Sequence, residues 1–168
     1  SRRLLVVGGG SSGLAAGREA ARAGYEAVIV EQAAELGGRA RGFSKVLPSH
    51  PPYREPEANP IAELIAEVEG DGRISVRTGT TVASTAGGPG DFRVTLANGT
   101  AQAEETFGAI VVATGWRPYD AGKLGHLGYG TPGVVTNVEL EELLAKGEAA
   151  PKAVAFVQCA GSRDAEHL

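Results

Sequence analysis

The chain has 168 residues, a length typical of one domain that buries its own hydrophobic core. Its net charge of −4 argues against a nucleic-acid-binding surface, and its 42% hydrophobic residues exclude a disordered chain. No apolar run approaches the ~20 residues that span a bilayer, and the single cysteine, Cys159, excludes an internal disulfide. These properties predict a cytoplasmic globular chain with no nucleic-acid partner and no direct membrane insertion.

The first thirty residues have the pattern of a βαβ unit. Residues 4–7 form an apolar run typical of an inner parallel strand. Residues 12–23 have an alanine-rich face that predicts a helix, which ends at Gly24. Residues 27–30 are a second apolar run, so we expect two parallel strands joined by a helical crossover.

A glycine-rich loop connects the first strand to the helix, with Gly8, Gly10 and Gly13 in a G-x-G-x-x-G pattern. Gly8 permits a tight turn and Gly10 lets the backbone approach a pyrophosphate, while Gly13 and Gly17 let the helix lie close to the sheet. The amides and dipole of the helix start favour an anion. Glu31 ends the second strand, where its carboxylate can accept a hydrogen bond from a ribose hydroxyl and would repel a 2′-phosphate. The alternative is that the glycines only allow close packing and that Glu31 is a solvated acid.

The next stretch combines a proline-rich loop with a helix and a strand. Residues 48–60 contain five of the nine prolines, so we expect a loop there. Asn59 and Pro60 suit the cap and the first position of a helix. Residues 74–77 predict a strand after that helix. The inward stripe of the helix is Ile61, Leu64, Ile65 and Val68.

In residues 80–107 the apolar residues recur with a period of two, which is typical of strands. Asn98-Gly99 is a strong hairpin-turn signal, and residues 87–90 supply another turn. We therefore expect a three-stranded antiparallel meander, followed by a buried strand at residues 109–113.

The last elements are a helix and a strand. Thr136 and Glu139 have the spacing of a capping box, which opens a helix. Residues 153–157 are apolar and predict a last buried strand. The helix is predicted to turn three leucines inward: Leu140, Leu143 and Leu144.

Two short motifs and the meander follow the phosphate loop in a distinctive order. Gly37-Gly38-Arg39 comes first, then the meander, then Ala113-Thr114-Gly115. This order resembles the two-dinucleotide-binding flavoproteins related to glutathione reductase, over residues 3 to about 118. The resemblance implies an α/β fold: a Rossmann-like parallel sheet with helices and an inserted three-stranded meander, an incomplete FAD domain of the glutathione-reductase type.

The same resemblance implies FAD as the cofactor. The three loop glycines would hold its pyrophosphate and Glu31 its adenosine ribose. Gly38 and Arg39 would lie near the pyrophosphate and the ribityl side, and backbone groups of Val82 would face the adenine. No side chain suggests an acid–base catalyst, so no catalytic residue is predicted. The cofactor-binding residues implied are Gly8, Gly10, Ser11, Ser12, Gly13, Glu31, Gln32, Gly38, Arg39, Val82, Ala113, Thr114 and Gly115.

A second series of segments carries a narrower resemblance. It includes ATGWRPYD at residues 113–120, GYG at 128–130 and QCAGSRD at 158–164. The series resembles the heterodisulfide reductase A family, which includes relatives in the quinone-interacting membrane-bound oxidoreductase complex. Residues 43–60 lack the cysteines that many A-type members carry, which favours the B flavoprotein of that complex. In this family Cys159 would be the first of several cysteines that ligate an iron–sulfur cluster, the others lying outside this chain.

These resemblances imply an FAD-binding segment of an oxidoreductase subunit that passes electrons between flavin and iron–sulfur clusters. Its partners would be other redox subunits, which could bring it to the cytoplasmic face of the membrane. We expect residues 1–150 to be the first part of the FAD domain and residues 151–168 to begin a second, truncated nucleotide-binding-like domain, the fragment alone being inactive. The alternatives are a nucleotide-binding structural module without turnover and a fragment of an NAD-dependent dehydrogenase.

Overall fold

The computed structural model describes residues 1–161. Residues 162–168, which include the end of the QCAGSRD segment, lie outside this description. The described chain divides into two compact units, Ser1–Arg41 with Lys45–Gly115, and Gly42–Ser44 with residues 116–161. The expected domain boundary at residue 150 stays a prediction.

The elements of the described chain alternate strands and helices before the meander. In chain order they are β1 (Arg3–Val7), α1 (Ser11–Arg22), β2 (Glu26–Val30), a 3₁₀ helix (Gly38–Gly42), β3 (Lys45–Val46), β4 (Glu57–Ala58), α2 (Ile61–Gly70), β5 (Ile74–Arg77), β6 (Thr81–Gly88), β7 (Asp91–Asn98), β8 (Ala101–Phe107), β9 (Ala109–Val112), a second 3₁₀ helix (Ala121–Leu127) and α3 (Asn137–Lys146).

The first unit is built on a four-stranded parallel sheet with the order β5-β2-β1-β9. A separate antiparallel sheet, β6-β7-β8, is the predicted meander. Both confirm the predicted fold class. The proline-rich segment is irregular, as predicted, except that β4 pairs with β3 in a two-residue ladder.

The two central strands of the parallel sheet, β1 and β2, pack on both faces, since successive side chains of a strand point to opposite sides. The prediction that residues 109–113 form a buried strand is wrong in part, because Val112 of the edge strand β9 is 74% exposed. Leu5 of β1 packs with Val94 and Phe107 of the meander. The next residue, Val6, packs with Leu14 of α1 and Val68 of α2. We call these two groups the meander-side core and the helix-side core. Packing on both faces explains why the sequences of β1 and β2 are unbroken apolar runs.

An ion-pair cluster joins the meander to the parallel sheet. Glu105 of β8, whose side chain is 18% exposed, accepts a hydrogen bond from Arg3 of β1 at 2.8 Å and another from Arg77 of β5. Arg77, and then Arg3, hold the pKa of Glu105 below its ordinary value. The cluster therefore fixes β8 against two strands that are not its neighbours in sequence.

The second unit confirms the predicted capping box. Thr136 Oγ1 accepts a hydrogen bond from the Glu139 amide at 3.1 Å, and the Glu139 carboxylate accepts one from the Thr136 amide at 2.6 Å. That amide bond is the main reason why the pKa of Glu139 is lowered. Tyr129 donates to the same carboxylate at 2.9 Å, which raises the pKa of Tyr129.

Two predictions for the second unit are wrong. Leu144 is 48% exposed instead of facing inward, and no residue of α3 is fully buried. Residues 153–157 form no strand, and Phe156 is 71% exposed. A strand needs a second strand to pair with, and the described part of this unit contains no strand.

Candidate functional site

The carboxyl end of β1 leads directly into the predicted phosphate loop. Gly8 has a φ of +110°, a conformation that favours glycine, and a Cβ there would overlap the main-chain carbonyl oxygen of Ala113. The Ala113 amide donates to the Val7 carbonyl oxygen at 2.8 Å. The loop therefore turns sharply where the ends of β1 and β9 lie side by side.

Helix α1 begins unusually close to this loop. A Cβ at Gly13 would overlap the carbonyl oxygen of Gly8, and one at Gly17 would lie 2.7 Å from the Cδ1 of Ile29. These contacts confirm the predicted steric role of both glycines, which is to bring the start of the helix down onto the sheet. The first-turn amides of a helix have no intrahelical partners, and no side chain caps this turn.

Gly10, the N-cap of α1, faces open space. Apart from its chain neighbours and the backbone of its own helix, no atom of residues 1–161 lies within 4 Å of the position that its Cβ would take. The predicted main-chain approach to a pyrophosphate therefore has room at this position. Ser11 and Ser12, which follow in the first turn, are both exposed, so the helix start is accessible.

The Gly37-Gly38 motif lies beside the phosphate loop. Gly10 and Gly37 form an isolated parallel bridge, and the Gly37 amide donates to the Gly9 carbonyl oxygen at 2.7 Å. A Cβ at Gly38 would lie 3.2 Å from the Cα of Gly10. The structure thus brings together two glycine motifs that are 24 residues or more apart in the chain.

Glu31 uses both carboxylate oxygens on the main chain. Its Oε2 accepts from the Gly9 amide at 2.7 Å and its Oε1 from the Ala33 amide at 2.8 Å. A carboxylate has about four acceptor sites, so it can also accept from ribose hydroxyls. The ribose contact stays a prediction, but Glu31 lies next to the loop, as that contact requires.

The other predicted site residues are less closely grouped. Gln32 and Arg39 are exposed, as are Thr114 and Gly115 after β9. Val82 of β6 packs against the meander-side core, and its predicted contact with adenine is untested. The residues that the structure does gather around the loop are Gly8, Gly10, Gly13, Glu31, Gly38 and Ala113.

Sequence reasoning missed Gly9, which stands at a variable position of the motif. A Cβ there would lie 2.6 Å from the Cδ2 of Leu36 and 3.0 Å from the Cβ of Glu31. The only signal in the sequence is that the glycine run has three members instead of two. The packing partner, Leu36, precedes the second glycine motif and is buried.

Nothing in the described residues forms a metal centre or a membrane helix. No group of three or more His, Cys, Asp or Glu side chains in residues 1–161 is placed to bind a metal ion. Cys159, the predicted cluster ligand, is exposed. Within the same range no helix is both long enough and apolar enough to cross a bilayer.

Comparison with solved structures supports the fold. Thioredoxin reductase from T. acidophilum superposes with a TM-score of 0.56 at 19% identity, covering 73% of this chain and 38% of that one. The atypical thioredoxin reductase TRi from Desulfovibrio vulgaris Hildenborough gives a TM-score of 0.51 at 25% identity, with the same two coverages.

Comparison with curated proteins supports the narrower resemblance. The A component of the ferredoxin/F420H2-dependent CoB-CoM heterodisulfide reductase of Methanosarcina acetivorans is 24% identical over 255 aligned positions, which include 98% of this chain. The chain spans about a third of that relative's length, 32%. The resemblance to heterodisulfide reductase A is confirmed, and the narrower likeness to the B flavoprotein stays a prediction. The family model for pyridine nucleotide-disulphide oxidoreductases matches residues 2–156, so this chain belongs to that family.

Proposed function

We propose that this chain is the FAD-binding segment of an electron-transferring oxidoreductase subunit related to heterodisulfide reductase A. The observation that carries the proposal is the open space at Gly10, beside the uncapped first turn of α1. Main-chain amides at a helix start, with room for a ligand and no side chain in the way, suit a pyrophosphate. Membership of the oxidoreductase family supports a dinucleotide as the ligand.

The residues of this chain would bind and position the cofactor. The amides that follow Gly10 would hold the two phosphates, and Glu31 would accept from the adenosine ribose. Gly38 packs so closely against Gly10 that a side chain there would crowd the main chain of the loop. Bound flavin would supply the redox chemistry, while the protein sets its position and surroundings.

The electron partners are a further part of the proposal. The curated relative is one component of a larger reductase, which supports other redox subunits as partners. An iron–sulfur cluster needs about four thiolate ligands, and the described residues offer only Cys159, so they do not fit a cluster by themselves. The ligand role of Cys159 stays a prediction.

Calorimetric titration with FAD, NAD and flavin mononucleotide tests the ligand. We expect this chain to bind FAD weakly, and flavin mononucleotide, which lacks the adenosine half, to bind at least about tenfold more weakly still. Gly10→Asp should abolish FAD binding because it places a carboxylate where a phosphate is expected. Gly72→Asp is the matched control, since Gly72 also faces open space and precedes β5 at the amino-terminal end of that strand.

Each outcome of this titration separates the candidate functions. Equal FAD affinity in the original chain and in Gly10→Asp would reject the site. NAD binding more tightly than FAD would favour the NAD-dependent dehydrogenase alternative. FAD that binds but is reduced neither by NADH nor by reduced ferredoxin would favour a structural module without turnover.

A further inference from the structure

The two hydrogen bonds of the Glu31 carboxylate join different parts of the site. Gly9 belongs to the loop after β1, while Ala33 belongs to the turn after β2. Hydrogen bonds to a carboxylate are stronger than those between neutral groups. One side chain therefore connects the phosphate loop to the segment that leads to the second glycine motif.

The main chain of Glu31 is itself held on both sides. Its amide donates to the Arg77 carbonyl oxygen at 2.9 Å, and its carbonyl oxygen accepts from the Thr80 amide at 2.9 Å. The carboxylate thus extends from a fixed point at the end of the sheet. It can hold the Gly9 amide in place instead of following it.

The peptide groups of Gly9 are fixed from two directions. Glu31 accepts from its amide and Gly37 donates to its carbonyl oxygen. Its lack of a side chain lets Leu36 and Glu31 pack directly against it. The next residue is Gly10, whose open space is where a pyrophosphate is proposed to bind.

We propose that Glu31 is a positioning residue for the phosphate loop, acting through the Gly9 amide, in addition to any contact with a ribose. This inference rests on the proposed dinucleotide function. A positioning role for Glu31 predicts an effect on ligand affinity that a ribose contact alone does not. Removing the carboxylate weakens ligands that have no ribose hydroxyls, because the loop that holds their phosphates is no longer fixed.

The experiment compares ADP with 2′,3′-dideoxy-ADP, which keeps the diphosphate and lacks both hydroxyls. Calorimetry measures both ligands with the original chain, Glu31→Ala and Glu31→Gln. Glu35→Ala is the control: Glu35 is a nearby acid whose side chain is 69% exposed and pairs with Arg41. We expect Glu31→Ala to lower the affinity for dideoxy-ADP at least about tenfold, the equivalent of one charge-assisted hydrogen bond. Loss of affinity for ADP alone would overturn the proposal.

Glu31→Gln gives an intermediate test, because glutamine has one side-chain oxygen where the carboxylate uses two, and its NH2 group would face the second main-chain donor. We expect its affinity for dideoxy-ADP to lie between those of the original chain and Glu31→Ala. Affinity equal to the original would contradict the need for two acceptors.

A measurement without ligand separates this inference from the proposed function. Amide hydrogen exchange in the ligand-free chain should be faster at Gly9 in Glu31→Ala, while the core amide of Val28 keeps its rate. Unchanged exchange at Gly9 would overturn the positioning role. If the original chain bound neither ADP nor dideoxy-ADP, the proposed function would fail, and the exchange at Gly9 would still decide the role of Glu31.

Discussion

Replacing Gly10 or Gly13 by alanine adds the same methyl group at two sites with opposite surroundings. At Gly10 the methyl enters open space, whereas at Gly13 it overlaps the main-chain carbonyl oxygen of Gly8. We therefore expect Gly13→Ala to reduce the stability of the fold and Gly10→Ala to reduce ligand affinity.

The expected magnitudes follow from these surroundings. As an N-cap, alanine lowers the free energy of unfolding by about 0.5–1 kcal/mol relative to glycine, whereas its smaller unfolded-state entropy raises it by about 0.4–1 kcal/mol. Gly10→Ala should therefore leave the stability nearly unchanged. Overpacking costs about 1–3 kcal/mol, and a rigid main-chain neighbour places Gly13→Ala at the upper end. The higher helix propensity of alanine offsets about 1 kcal/mol of this cost, so the free energy of unfolding should fall by about 2 kcal/mol.

The assay combines urea unfolding, followed by far-ultraviolet circular dichroism, with calorimetry of ADP. Gly10→Ala should keep the unfolding midpoint of the original chain and bind ADP at least about tenfold more weakly, since one charge-assisted hydrogen bond to phosphate is lost. A fully stable Gly10→Ala chain with unchanged affinity for ADP would refute the reasoning about the open space. Equal stability of Gly13→Ala and the original chain would refute the packing argument.

Three further predictions concern the fold. Glu105→Gln should lower the free energy of unfolding by about 1–3 kcal/mol at pH 7. Arg77 and Arg3 lower the pKa of this carboxyl, so its contribution to the free energy of unfolding is complete above an unfolded-state pKa of about 4.3. That contribution is lost as the pH falls through the folded-state pKa, so the urea midpoints of the two chains should converge in acid. Phe107→Ala should cost about 3–5 kcal/mol because Phe107 is fully buried in the meander-side core, and an unchanged urea midpoint would contradict that packing. Thr136→Ala should destabilise α3 by about 0.5–2 kcal/mol, seen as faster amide exchange confined to that helix, and protection equal to the original would deny the cap a role.

Local patterns were sufficient to predict most of the first unit. The apolar runs correspond to observed strands, α1 ends just before Gly24, and β7 ends at the Asn98-Gly99 turn. These features could be predicted because each is determined by residues close together in the chain. The strand predicted at residues 153–157 failed for the opposite reason. Whether an apolar run becomes a strand depends on a partner from elsewhere in the fold, which composition alone does not reveal.

The candidate site shows the same division. The motif spacing predicted the steric roles of Gly8 and Gly13, since those follow from the strand–turn–helix geometry. The contacts of Gly9 with Leu36 and Glu31 could not be predicted, because they depend on how the connections after β1 and after β2 come together at one edge of the sheet. Sequence distance carries no information about that arrangement.

The two cores on opposite faces of the parallel sheet differ in their relation to the phosphate loop. Leu36, which packs against Gly9, belongs to the helix-side core together with Val6 and Leu14. The meander-side core includes none of these residues. A change of side-chain size on the helix side is therefore transmitted directly to the loop, whereas one on the meander side must first deform the sheet. Changes of side-chain volume on the helix side should therefore affect the phosphate loop more than equal changes inside the meander-side core.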